Sequence, residues 1–226
     1  VARLPQLAVH LDRGVNDGLT LDRQANTQPV FTLDAEPDLL AALAEQAGVK
    51  ASDVLGHDLF TYSSQPPARF GLHGEFFASG RLDNLSSTHA GLTAMEDLAD
   101  GNDLVIFAAF DHEEIGSATS SGAAGPFLGD VLERIAAVSG LGLDATKALL
   151  ARGSCVSADA GHLVHPNYPQ HHDPRAQLVP GGGPMLKVNA SQRYATDAVG
   201  EALWLRACEA AGVPSQVFVS NNAMPC

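Results

Sequence analysis

The sequence predicts an α/β fold in three layers, with helices on both faces of a mainly parallel sheet. Beyond residue 62, short apolar runs of strand length alternate with longer stretches of helical pattern. The run 104–110 is continuously apolar, as a strand covered on both faces would be. Acids then follow directly on two of these runs, at Asp111 and Asp159. Open α/β sheets bind their ligands at the carboxyl ends of strands, so those acids stand where a site belongs.

The elements follow in chain order. Residues 1–61 differ in character from the rest, with a short strand signal at Leu7–Leu11 and then a stretch rich in Asn, Asp and Gln. A helical pattern spans Pro37–Gly48, started by Asp34 or Glu36 and stopped by Gly48. Ser63-Ser-Gln-Pro-Pro67 marks a boundary, because proline resists helix and central strand alike. Helices are expected at 84–98, 127–138, 144–151 and 195–211. Strands are expected at 104–110, 154–158, 185–189 and 216–220, with Pro180-Gly-Gly-Gly-Pro184 as a flexible loop before the third. There is no internal repeat and no low-complexity tract.

Composition narrows the function. A formal net charge of −13 argues against nucleic acid or an anionic membrane as partner. No run approaches the roughly 20 apolar residues of a membrane span. Cys155, Cys208 and Cys226 have no metal-ligand spacing and read as reduced thiols in a cytoplasmic protein. Val1 opens without Met, and the chain reads as a piece of something longer.

The junction at 111–116, Asp-His-Glu-Glu-Ile-Gly, carries the most information. Neighbouring side chains in extended backbone point to opposite faces, so Glu113 and Glu114 can do two jobs, one on a metal and one on a water. A solvated loop after a strand is the plain alternative. The small residues of 116–125 suggest backbone that something approaches closely. A zincin helix is excluded because Gly116, not histidine, stands four places after His112. There is no Gly-x-Ser-x-Gly elbow, phosphate loop or dinucleotide fingerprint.

Asp83 reads either as a helix cap or as a ligand. Asp159, with His162 three places on, offers the oxygen and nitrogen donors that zinc takes. His165, His171 and His172 read as exposed loop histidines, and His10 as a strand histidine. Lys187, set in an apolar strand, needs an anion, either a structural carboxylate or a substrate group.

Together, Leu7-Ala-Val-His-Leu11, Ser79-Gly-Arg-Leu-Asp-Asn-Leu85, Phe110-Asp-His-Glu-Glu-Ile-Gly-Ser117, Ser157-Ala-Asp-Ala-Gly-His-Leu-Val-His-Pro-Asn167 and Leu186-Lys-Val-Asn-Ala-Ser-Gln-Arg-Tyr-Ala-Thr196 span nearly the whole chain. In that order they resemble the aspartyl aminopeptidase family of dizinc metallopeptidases. The resemblance implies a zinc-exopeptidase fold with a smaller inserted β-rich oligomerisation domain. Residues 1–61 would be the C-terminal part of that insertion, and 62–226 an incomplete catalytic domain. It implies two Zn2+ per active site, with Co2+ or Mn2+ as possible substitutes. Asp83 would bridge both metals, Glu114 would bind one and Asp159 the other.

By the same resemblance Glu113 would be the general base. His162, Lys187 and Tyr194 would hold the substrate, and His10 would reach into a neighbouring subunit's site. The implied activity is removal of N-terminal Asp or Glu from peptides, by a cytoplasmic homododecamer. The family carries two further zinc histidines that fall outside this chain, so only Asp83, Glu114 and Asp159 of its ligands are in view. Smaller departures are Gly161 and Ser120-Ser121. A dizinc aminopeptidase of broader specificity and a catalytically silent, oligomer-forming fragment are the alternative readings.

Overall fold

The computed structural model describes residues 2, 4, 6–99 and 101–219. The chain divides into two compact units, Val1–Gly80 and Arg81–Cys226.

In the first unit, helix α1 spans Leu39–Ala47. Asp38 caps it by accepting from the Ala41 N–H at 2.8 Å, and Gly48 ends it in left-handed conformation with φ 71°. The stop is therefore the expected one, while the start lies two places beyond Glu36. Strands β1 (Ala68–Phe70) and β2 (Phe76–Ala78) form an antiparallel pair with Arg69 opposite Phe77. The Phe70 and Phe76 rings stack across it at 5.1 Å. Residues 7–11 form no strand but a turn, closed by the Leu11 N–H on the Ala8 carbonyl at 2.8 Å. The boundary expected near residue 62 concerns a longer family fold and stays an expectation.

In the second unit, α2 (Leu82–Glu96), α3 (Phe127–Val138), α4 (Leu143–Arg152) and α5 (Ala198–Ala211) lie close to the predicted helices. Asp197 caps α5 through the Gly200 N–H, and Gly212 closes it with φ 65°. Strands β3 (Met185–Val188) and β4 (Gln216–Val219) pair in parallel, Leu186 beside Val217 and Lys187 beside Phe218. Residue 220, the expected end of the last strand, lies outside the described residues.

The loop before β3 is held rather than loose. Gln216 donates to the Val179 and Gly183 carbonyls and accepts from the Val179 N–H at 2.9 Å. A side chain at Gly183 would run into the Pro214 carbonyl oxygen.

The expected strands at 104–110 and 154–158 are not formed among the described residues. A strand is a relation between two backbones, and no described residue offers these segments a ladder. Leu104, Val105 and Ile106 stay exposed accordingly. The α/β class is the predicted one, seen here in the β3–α5–β4 order with its parallel strand pair. Among the described residues the buried apolar ones are small or scattered: Ala44, Ala136, Leu178, Leu186 and Cys208. Among the described residues, no helix is long and apolar enough to cross a membrane.

Candidate functional site

The site is built from three segments of the second unit. At the head of α2, Arg81 sits in left-handed conformation, and Asp83 and Asn84 depart from helical geometry. Asp83 and Asn84 thus form a kink at the head of the helix, and among the described residues no side-chain cap bond is made at Arg81. The Asn84 side-chain amide donates to the Ala158 carbonyl at 2.8 Å. One hydrogen bond therefore ties the neighbour of Asp83 to the neighbour of Asp159.

The Asp159 loop is tied in turn to β3. Lys187 donates through Nζ to Asp159 Oδ2 at 2.6 Å and to the Ala160 carbonyl at 2.6 Å. Gly161 lies so close to β3 that a side chain there would meet the Met185 sulfur. The Lys187 side chain is 15% exposed, so its ammonium is largely out of water and its anion matters. Its Nζ stands 5.6 Å from the centre of the Tyr194 ring, which meets Phe218 edge-on at 6.3 Å. Of the two anions left open for Lys187, a structural carboxylate is the one it meets here.

Glu113 and Glu114 leave the 104–110 segment on one short 3-10 turn, Glu113–Ile115, not on extended backbone as expected. His112 precedes the turn with φ 66° and Gly116 follows it with φ 102°. The segment packs back on α2, since Phe107 occupies the space a side chain at Gly91 would need.

Among the described residues, none hydrogen-bonds or pairs with the Asp83, Glu113 or Glu114 carboxylates. No three His, Cys, Asp or Glu side chains among the described residues converge closely enough to hold a metal. The structure thus brings together Asp159, Lys187 and Tyr194, and links the loops of Asp83 and Asp159 through Asn84. It places Glu113 and Glu114 on a turn of their own and leaves His162 exposed. His10 belongs to the first unit. Exposed oxygen donors without protein partners suit a divalent cation, and zinc takes such ligands. Asp83, Glu114 and Asp159 thus offer the donor types zinc takes, while among the described residues no three such side chains converge and Asp159 already carries Lys187.

Two residues carry weight that the sequence did not single out. Asn84 and His112 each sit beside a named acid, and that adjacency was the only signal available.

The second unit is thus an α/β unit in which a largely buried lysine holds a loop carboxylate, with further acids exposed on neighbouring segments. The chain belongs to the Aminopeptidase I zinc metalloprotease (M18) family, which it matches over residues 1–226.

It is 48% identical over 233 residues to a probable M18 family aminopeptidase 2 of Streptomyces avermitilis, covering 99% of this chain and 54% of that protein. The counterpart of Pseudomonas paraeruginosa is 39% identical, with 100% and 53% covered. The chain spans about half the length of the curated relatives it matches. Among solved structures, the cryo-EM structure of the Ape4 and Nbr1 complex matches with TM-score 0.84 and 30% identity, covering 100% of this chain and 48% of that one. The S. cerevesiae mApe1 dodecamer matches with TM-score 0.71 and 26% identity, covering 97% and 51%.

Proposed function

We propose that the protein acts as a zinc aminopeptidase that removes N-terminal Asp or Glu from peptides. The observation that carries this is the Lys187–Asp159 contact. A largely buried ammonium beside an acid with metal-ligand chemistry needs a second anion once that acid's charge is shared. The carboxylate of an acidic first residue supplies one, with Tyr194 and His162 as further polar contacts.

Asp83, Glu114 and Asp159 are the residues that would hold zinc; Co2+ or Mn2+ could replace it. Bound there, zinc supplies a Lewis acid and a nucleophile available near neutral pH. Glu113 takes the proton of the attacking water and returns it to the leaving amine. Lys187 orients the substrate by its first side chain.

The same contact also favours a second reading, a broader specificity, if Lys187 stays on Asp159 throughout turnover. Release of Asp, Leu and Ala from otherwise identical peptides decides between them. Preference for Asp supports the first reading, and equal rates support the second. No release by zinc-loaded protein would leave the silent, oligomer-forming role.

We further propose that the assembly is a homododecamer, with residues 1–61 in its oligomerisation domain and His10 reaching a neighbour's site. The dodecameric relative supports this, as do the fully exposed Leu33 and Leu55, apolar surface that a partner copy would cover. Sedimentation velocity tests it; a monomer at micromolar concentration counts against it. The unpaired thiols of Cys155 and Cys208 support a cytoplasmic location.

A further inference from the structure

We propose that His112 is a positioning residue that fixes the Glu113–Glu114 turn through the Thr119 hydroxyl. The proposal rests on the base and ligand roles given above to those two glutamates.

The turn carrying both acids is a single 3-10 turn, and one turn alone holds no conformation in water. Something outside it must fix the direction of its side chains. His112 provides three links. Its ring Nδ1 is 2.7 Å from Thr119 Oγ1, and its backbone N–H donates to Asp111 Oδ1 at 2.8 Å. Its carbonyl accepts from the Ser117 N–H at 2.9 Å. The acids are thereby enclosed between a residue in left-handed conformation and a side-chain bond spanning seven positions.

The Thr119 end is itself anchored. The Ala124 N–H donates to the Ser117 carbonyl at 3.1 Å, and the Gly122 N–H to the Thr119 carbonyl at 3.1 Å. Side chains at Gly122 and Gly125 would strike the Ser117 and Thr119 carbonyl oxygens, so this backbone closes on itself without room. The small residues of 116–125 therefore form a brace behind the acids, and His112 is the hook that engages it. Histidine is among the few non-glycine residues that tolerate positive φ. Asparagine is another, and its side-chain amide places a polar atom about where imidazole carries Nδ1.

The test uses zinc-loaded protein carrying His112→Ala, His112→Asn, Thr119→Val and the pair His112→Ala with Thr119→Val. Each of the first and third should lower kcat by about tenfold with KM and zinc content little changed, because misdirected catalytic groups lose rate before binding. The pair should lose about tenfold, not a hundredfold, since both changes remove one bond. His112→Asn should recover to within about threefold of the parent.

Amide hydrogen exchange over residues 113–118 should quicken in Thr119→Val even if His112→Ala fails to fold. Losses that multiply, an asparagine variant as slow as alanine, or unchanged exchange would each overturn the proposal. Full activity in Glu113→Gln would instead remove the base role and leave the exchange result to judge the brace alone.

Discussion

The Lys187 ammonium contacts the Asp159 carboxylate at 2.6 Å, joining a residue inside β3 to the loop after 154–158. This contact makes Lys187 a structural group as well as a candidate specificity group. Lys187→Met should therefore cut kcat/KM for Asp-first peptides by about a hundredfold while Ala-first peptides change far less. Competition between the two peptides measures it. A variant that still prefers Asp would show that the acid pocket lies elsewhere.

Glu113→Gln keeps the side chain's shape and removes its basicity. It should retain bound zinc and lose about 10²–10⁴-fold in kcat. Metal analysis and single-peptide turnover on the same sample check both halves. Near-parental turnover would take the proton-transfer role away from Glu113.

Asn84→Ala deletes the amide that reaches the Ala158 carbonyl at 2.8 Å. Partners that orient metal ligands typically contribute about tenfold or more in metal affinity. Zinc affinity, read by competition with a chromophoric chelator, should fall by that order while the unfolding midpoint hardly moves. Unchanged affinity would mean that the loops of Asp83 and Asp159 are aligned by something other than this bond.

The loop before β3 offers a paired test of crowding. Gly181 and Gly183 both have positive φ, 73° and 85°, but space around Gly181 is open while Gly183 abuts the Pro214 carbonyl. Gly181→Ala should cost only backbone strain, about 1 kcal/mol. Gly183→Ala adds a collision with backbone and should cost about 3 kcal/mol or more. Urea unfolding compares them, and equal costs would show that the loop yields.

The helices were legible because their signals are local. Gly48, read as the stop of the first helix, acts through residues a turn away. The start of α1 was misplaced because Asp34, Glu36 and Asp38 all offer a capping carboxylate around Pro37 and only one of them reaches an N–H. The strands at 185–188 and 216–219 were legible because they find each other. Equally apolar, 104–110 formed none, since a ladder depends on a second backbone that no local pattern reports.

At the site, the residue types at 83, 114 and 159 announced oxygen-donor chemistry. The link between the 83 and 159 loops depends on Asn84, and that between the 159 loop and β3 on Lys187, bonds that span 74 and 28 positions and leave no periodic trace.

Gly91 has no functional group, yet Phe107 fills the volume its missing side chain would claim. The helix that begins near Asp83 and the segment that ends at Glu113 are spaced by that vacancy. A random screen for lost activity would therefore return position 91 alongside the acids, and its hits would rank by added bulk rather than by charge or polarity.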